Sequence, residues 1–500
     1  MSDHPLSRRI AHVVDLQPDA PALEFDGEWI SWGQLATMAR SVGSLVDHYS
    51  GGDGTQVGML LRNRPQHVAA FLGVLLGGGC VVVLNPSRGD ERIRADISAL
   101  HLPVIIGEQY DLETLVTPAP GTTVLSMTAL DPPQVSSIGN RSDHTAADRP
   151  GVAVRMLTSG TTGSPKRIDV TYDTLARSVM GPDAEQARPP AKPRRGIAIV
   201  NAPLVHIGGV FRVLQCVTDA RSFVLLERFE LDKWATAVRS YRPGAVSLVP
   251  AALRMVLHSD LAREDLASIR AVTSGTAPLS ADDADAFMAK YGIPVLTSYA
   301  ATEFGGGVAG WTLADHQRYW HAKRGSVGRA APGAQLRVVD EAGTPLDSGQ
   351  VGLLEVKPAQ LGPSAEWITT ADMARIDGDG FLWILGRADQ AIIRGGFKIM
   401  PDDVRTALES HPGVQGAAVI GRPDERLGET PVAMVELRDT ESTSAAELFE
   451  YLRTRLAPYE IPTDIAIVGA LPRTPSGKPD LTAIRRHFCD AVGTAGREHA

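Results

Sequence analysis

Nine consecutive positions, Thr158, Ser159, Gly160, Thr161, Thr162, Gly163, Ser164, Pro165 and Lys166, gather five hydroxyl residues, two glycines and a lysine into one turn. Backbone N–H groups in such a turn can face inward and cradle an anion, while Lys166 supplies charge. The Walker pattern requires Gly-Lys-Ser/Thr, and here the lysine stands between Pro165 and Arg167. An ordinary polar turn between strands is the competing reading, which this composition makes the weaker one. A second passage, SYAATEFGGG over 298–307, sets Tyr299, Thr302 and Glu303 after an apolar stretch and before three glycines. One carboxylate there suits Mg²⁺, which is commonly held by one or two carboxylates plus substrate phosphates. Taken alone, Glu303 reads better as a surface glutamate on a loop. Asp372, closing ITTAD, could accept from ribose hydroxyls, and Arg387 in LGRADQ could reach phosphate or ribose oxygens. A structural salt bridge across a hairpin is the bland alternative for that pair. Lys478 lies in LPRTPSGK, where proline and glycine fix the loop that carries it.

The elements that must position these residues follow from hydrophobic period and turn chemistry. Stretches 22–25 and 29–30 flank Asp26-Gly27, a hairpin signal. Ser31 with Gln34 three residues on forms a capping box, ahead of Leu35, Met38, Val42 and Leu45 at helical spacing. Apolar runs at 57–61 and 80–84 around a helical stretch at 66–76 predict β-α-β order and parallel sheet. Similar runs return at 196–200, 222–226, 245–249 and 271–274, and another, 152–157, leads into the Thr158 turn. Polar, turn-rich stretches at 131–150 and 181–195 read as linkers. From 327 onward, short strands at 327–328, 335–339, 352–356 and 381–385 between glycine turns predict antiparallel sheet. The pattern resets after Gly386-Arg387. A strand at 391–394, a helix from Pro401, strands at 415–420 and 431–437 and a helix bearing Leu448, Leu452 and Leu456 make a small α+β unit. The expected class is α/β: a large N-terminal domain over 1–385, with parallel sheets and a distorted antiparallel β section, a hinge at 386–390, and a small α+β C-terminal domain over 391–500.

Composition bounds the function. Five hundred residues exceed what one hydrophobic core usually serves. Lys and Arg total 49 against 58 Asp and Glu, and the net charge of -9 disfavours broad nucleic-acid binding while allowing a local anion site. The longest apolar stretch, 71–84, is glycine-broken and short of the roughly 20 residues a membrane helix needs. No secretory pattern opens the chain, and Cys80, Cys216 and Cys489 lie far apart, so a reducing cytoplasm is the expected setting.

Together these passages resemble the adenylate-forming superfamily, specifically its acyl- and aryl-CoA ligases, over nearly the whole chain. PLVHIG at 203–208, SGTAPL at 274–279 and VIGRPDERLG within 414–428 agree. The resemblance implies a small, mobile C-terminal domain and an active site between the two domains. It also implies a reaction: ATP- and Mg²⁺-dependent conversion of a carboxylic acid to acyl-AMP with pyrophosphate release, then transfer to CoA as a thioester. Thr158, Ser159, Gly160, Thr161, Thr162, Gly163 and Lys166 would cradle phosphates. Thr302 would contact the α-phosphate and Glu303 would bind Mg²⁺. Tyr299 with Gly275, Thr276 and Ala277 would frame adenine. Asp372, Arg387 and Lys398 complete the nucleotide set, and Lys478 would bridge acid and α-phosphate. Asp389 matches the hinge, and Gly395 and Gly396 the pantetheine passage. His206, Ile207, Gly208, Ser274, Ala300 and Gly305 would wall the acyl pocket. Arg167, Ala300 and Ala371 stand where the family usually has glycine. The methyl of Ala300 would narrow the acyl tunnel, favouring an acid with a short, branched or cyclic apolar body. A homodimer is left open. Two other functions compete: a stand-alone adenylation enzyme loading a carrier protein, and a catalytically silent nucleotide-binding protein.

Overall fold

The computed structural model describes residues 2–50, 53–87, 90–130, 134–138, 148–158, 166–394, 397–424, 426–438, 443–474 and 477–495. A helix, Pro5–Leu16, precedes the predicted hairpin and was not expected from the sequence; His4 caps it by accepting from the Leu6 N–H at 3.1 Å. Its Leu6, Ile10, Val13 and Val14 are buried on one face. Strands Pro21–Phe25 and Glu28–Ser31 pair antiparallel, with Asp26 and Gly27 at φ 48° and 92° as a tight hairpin turn requires. The capping box forms in both directions: the Gln34 N–H donates to Ser31 Oγ at 3.2 Å, and the Ser31 N–H to Gln34 Oε1 at 2.8 Å. The helix Trp32–Ser50 follows.

Strands Thr123–Ala129, Val104–Gly107, Gln56–Leu60, Cys80–Leu84 and Val152–Thr158 lie side by side and parallel. Lys166–Thr171 closes one edge antiparallel to Val152–Thr158. Gln56–Leu60 and Cys80–Leu84 are buried at every position, as strands covered on both faces must be. The other edge corrects an expectation. Part of the supposed linker 131–150 is the strand Gln134–Ile138, antiparallel to Thr123–Ala129. Its polar composition suits an edge and hides the strand from a hydrophobic-run search.

A second sheet places Ala245–Ser247, Ala271–Ser274 and Val295–Ala301 parallel, then Gly306–Gly310 and the two-residue strand Arg329–Ala330 antiparallel. The strand expected at 327–328 is thus displaced by two residues. A third sheet pairs Arg194–Val200 and Arg221–Leu225 with the first hairpin. The predicted antiparallel section is a four-stranded sheet of Gln335–Val339, Val351–Lys357, Ile368–Ile376 and Leu382–Arg387.

Beyond Arg387 the chain builds its own core. Ile392–Arg394, Phe397–Ile399, Val414–Asp424, Gly428–Leu437 and Asp464–Val468 form one sheet. Helices Pro401–Glu409, Ala445–Arg453 and Leu481–Ala495 accompany it. The two apolar clusters here draw on residues from Ile392 onward alone. Leu456 packs against the first of them from just beyond the helix that was expected to carry it. The fold is therefore α/β, with a large N-terminal and a smaller C-terminal domain. Among the described residues no helix is long and apolar enough to cross a membrane.

Candidate active site

Open α/β sheets bind ligands beyond the carboxyl ends of their parallel strands. Ala271–Ser274 and Val295–Ala301 run parallel, with Ser274 opposite Thr297, so the segments that follow them emerge at the same end. In the first, Thr276 adopts φ 71°, a conformation that costs a β-branched residue about 1 kcal/mol or more and often marks a functional loop. Space at Gly275 is tight: a Cβ there would lie 2.8 Å from Ser298 Oγ and 3.3 Å from the Ser298 carbonyl oxygen. In the second, Thr302–Phe304 make a single 3₁₀ turn, closed by Gly305 at φ 69°. Phe304 is buried beside Tyr299, with ring centres 5.9 Å apart, and this leaves the Glu303 carboxylate exposed.

The antiparallel sheet brings its own residues to this place. Asp372 and Arg387 are register partners on adjacent strands, with Arg387 Nη1 3.6 Å from Asp372 Oδ1. Tyr299 donates its hydroxyl to Asp372 Oδ2. Burial first, then the Asp372 charge, raises the Tyr299 pKa, so the phenol stays protonated. Arg387 also grips both oxygens of Asp389, at 2.9 and 2.7 Å. That fork is the main reason its pKa rises.

Lys478 arrives from the C-terminal domain. The Thr474 N–H donates to the Lys478 carbonyl at 2.7 Å, and the Gly477 N–H to the Thr474 carbonyl at 2.8 Å, so the loop is tightly turned. Burial pushes the Lys478 pKa down, as does the Arg387 charge, while Asp372 and Glu303 push it up. One lysine thus shares an electrostatic environment with three groups lying 91 to 175 residues earlier. Lys478 is nonetheless exposed to solvent, so it does not sit in a dry core.

Other predicted residues fall as follows. Ser159, Gly160, Thr161, Thr162, Gly163, Gly395 and Gly396 lie outside the described residues. Thr158 ends its strand opposite Lys166, whose side chain is exposed, and Lys398 lies on the strand Phe397–Ile399. Arg167 turns aside, donating to Asp96 at 2.6 Å and to the Val83 carbonyl at 3.2 Å, so its extra charge is neutralised away from the turn. His206 precedes the helix Ile207–Thr218, with Ile207 and Gly208 in its first turn. Ala300 is exposed, opposite Gly307. Gly305 packs against the helix Tyr172–Met180: its carbonyl accepts from Ser178 Oγ at 2.6 Å, and a Cβ would meet Thr174 Cγ2 at 2.1 Å. Ser274 is buried, and strand alternation turns it to the face opposite Thr273. Thr273, which sequence reasoning passed over, instead contacts the helix Ile207–Thr218 through Arg212. Period-2 alternation within Ala271–Ser274 was the signal that could have found it. No cluster of three or more metal-ligating side chains occurs among the described residues, and Glu303 offers a single exposed carboxylate.

The sequence pattern of the family described as AMP-binding enzyme matches residues 10–363. The chain belongs to this family. The AMP-binding enzyme C-terminal domain pattern matches residues 403–478 and ends on Lys478. This AMP-binding enzyme is 30% identical over 348 residues to 4-coumarate–CoA ligase-like 5 of Oryza sativa subsp. japonica, covering 67% of this chain and 61% of that protein. It is 28% identical over 507 residues to the indoleacetate–CoA ligase of Aromatoleum aromaticum, covering 96% and 98%. Among solved structures, ATP-bound MatB from Rhodopseudomonas palustris superposes with a TM-score of 0.79 at 25% identity, covering 97% of this chain and 99% of that one.

Proposed function

We propose that this AMP-binding enzyme is an ATP- and Mg²⁺-dependent acid–CoA ligase working in two half-reactions. The observation that carries the reading is the convergence of Lys478 with Glu303, Asp372 and Arg387, groups from both domains. A carboxylate is repelled by the polyphosphate it must attack. The Lys478 cation attracts both partners and holds them for in-line approach. A carboxylate oxygen bonds to the α-phosphorus, the bond to the β-phosphate bridging oxygen breaks, and pyrophosphate leaves. The CoA sulfur then attacks the acyl carbon, its proton passes to solvent, and AMP departs with the C–O bonding electrons.

Around this centre, Tyr299 and the Gly275–Ala277 backbone frame adenine, Asp372 takes the ribose, Arg387 and Lys398 reach ribose and phosphate, and Thr302 holds the α-phosphate. The Thr158–Gly163 turn and Lys166 carry the outer phosphates. Glu303 has the exposure and charge to hold Mg²⁺ together with substrate phosphates, and the ion when bound would offset phosphoryl charge. Lys478 in this position obstructs an incoming pantetheine, so the C-terminal domain swings between halves about 386–390. Asp389 serves as hinge, and Gly395 and Gly396 admit pantetheine. His206, Ile207, Gly208 and Ala300 border the acid. The relatives named as CoA ligases support CoA as acceptor over a carrier protein.

The test is pyrophosphate release across a carboxylic-acid panel with and without CoA, followed by detection of the ester. Acid-dependent release with a CoA thioester is expected. Acid-dependent release without any thioester would transfer the assignment to carrier-protein loading, and no acid dependence would leave only nucleotide binding.

A further inference from the structure

The helix Ile207–Thr218 buries Gly209, Val210, Val213, Leu214, Cys216 and Val217, whereas Gly208, Phe211, Arg212 and Gln215 keep accessible surface along one stripe. At Gly208 a Cβ would meet no atom within 4 Å, so the stripe borders open space at its first turn. One turn on stands Arg212, largely buried. Its Nη2 donates to Thr273 Oγ1 at 3.1 Å and its Nη1 to Gln215 Oε1 at 3.2 Å, both neutral acceptors. The guanidinium carbon lies 5.9 Å from the Phe211 ring centre. Among the described residues it forms no ion pair with a carboxylate. Burial pushes its pKa down, and the Cys216 thiol alone works against that.

Three other arginines with little accessible surface are paired with carboxylates. Arg254 pairs with Asp283 and Glu409, Arg405 with Asp402 and Glu409, and Arg167 with Asp96. Buried charges are kept paired because desolvation otherwise goes uncompensated. Arg212 departs from this pattern at a telling place. Thr273 immediately precedes the Ser274–Ala277 segment, at the sheet end where Tyr299 and Thr302 also lie. A planar fork with free N–H groups matches a carboxylate better than a hydroxyl or a methyl.

We propose that the acid taken by this site carries a second carboxylate, distal to the one activated, and that Arg212 binds it. The inference rests on the adenylation reading and narrows its substrate to dicarboxylic acids whose far end reaches one helical turn beyond Gly208. It replaces the purely apolar acid expected from Ala300.

The experiment compares matched pairs: pentanoate with glutarate, hexanoate with adipate, and phenylacetate with 1,4-phenylenediacetate. Pyrophosphate release is followed for the wild type, Arg212→Met and Arg212→Lys. In at least one pair the wild type should favour the diacid by about tenfold or more in kcat/KM, mainly through KM. Arg212→Met should lower the diacid-to-monoacid ratio by about tenfold or more, and Arg212→Lys by less. A wild type that prefers the monoacid in every pair overturns the inference, whether or not the variants fold. Equal loss on both members of each pair in Arg212→Met overturns it too, by making Arg212 purely structural. Release from monoacids alone leaves the adenylation reading intact, whereas release from no acid of either series overturns that reading and this inference with it.

Discussion

Tyr299 donates its hydroxyl to Asp372, tying the last parallel strand of a mixed sheet to the third strand of the antiparallel one. In the proposed nucleotide site, the bond would fix the angle between the surface that meets the base and the one that meets the ribose. Tyr299→Phe removes the donor while keeping the ring against Phe304. The expected result is a rise of about tenfold in the KM for ATP with a smaller change in kcat, because a hydrogen bond to a charged group contributes about 1.5–3 kcal/mol. Asp372→Asn should raise that KM further. Isotope exchange between pyrophosphate and ATP measures both, and an unchanged KM in both variants would remove the pair from the nucleotide site.

The pH dependence follows from Lys478, whose pKa lies below the usual lysine value chiefly through burial. In the proposed role the amine acts protonated, so activity should fall as pH rises through this depressed pKa. The alkaline limb of the first half-reaction should therefore begin below the ordinary lysine range near 10.4. Lys478→Arg should shift that limb upward while lowering the rate, since guanidinium stays charged but does not reproduce the ammonium geometry. A single-turnover profile level up to the ordinary lysine range would contradict the assignment.

Arg387 closes on Asp389 through two hydrogen bonds within the short 3₁₀ turn Ala388–Gln390. If the C-terminal domain pivots here, rigidifying the turn should trap one arrangement. Asp389→Pro should slow thioester formation at least about tenfold more than adenylation, measured as separate half-reactions. Equal effects on both steps would place the pivot elsewhere.

A second contact between the domains permits an independent check. Arg254 bridges Asp283 at 2.7 Å and Glu409 at 3.2 Å, and Glu409 belongs to the C-terminal helix Pro401–Glu409. Arg254→Met should slow acyl-AMP formation about threefold to tenfold by loosening the arrangement that delivers Lys478, while supplied acyl-AMP turns over normally. Equal slowing of both halves would mean that Arg254 only stabilises the fold.

Much of this architecture is legible in sequence where one force dominates. Cys80–Leu84 is apolar at every position and is found at its exact bounds, and the Ser31–Gln34 box is local chemistry. Gln134–Ile138 is not legible, because an edge strand with polar residues carries no burial signal. The site motifs identify residue types, but Lys478 comes within electrostatic range of Glu303 only through the packing of the two domains, which no local pattern encodes. Gly305 carries a constraint that no local pattern shows. Its left-handed φ of 69° and Thr174 pressing against it both favour glycine there. Arg212 was overlooked because a lone charge in an apolar helix gains meaning only when its neighbours are known.

The central claim is that Lys478 serves the first half-reaction and not the second. The decisive measurement is a comparison of Lys478→Ala with wild type in acyl-AMP formation from acid and ATP, and in thioester formation from supplied acyl-AMP and CoA. The account predicts a loss of at least about a hundredfold in the first and near-normal rates in the second. Equal loss in both, or none in the first, would contradict it.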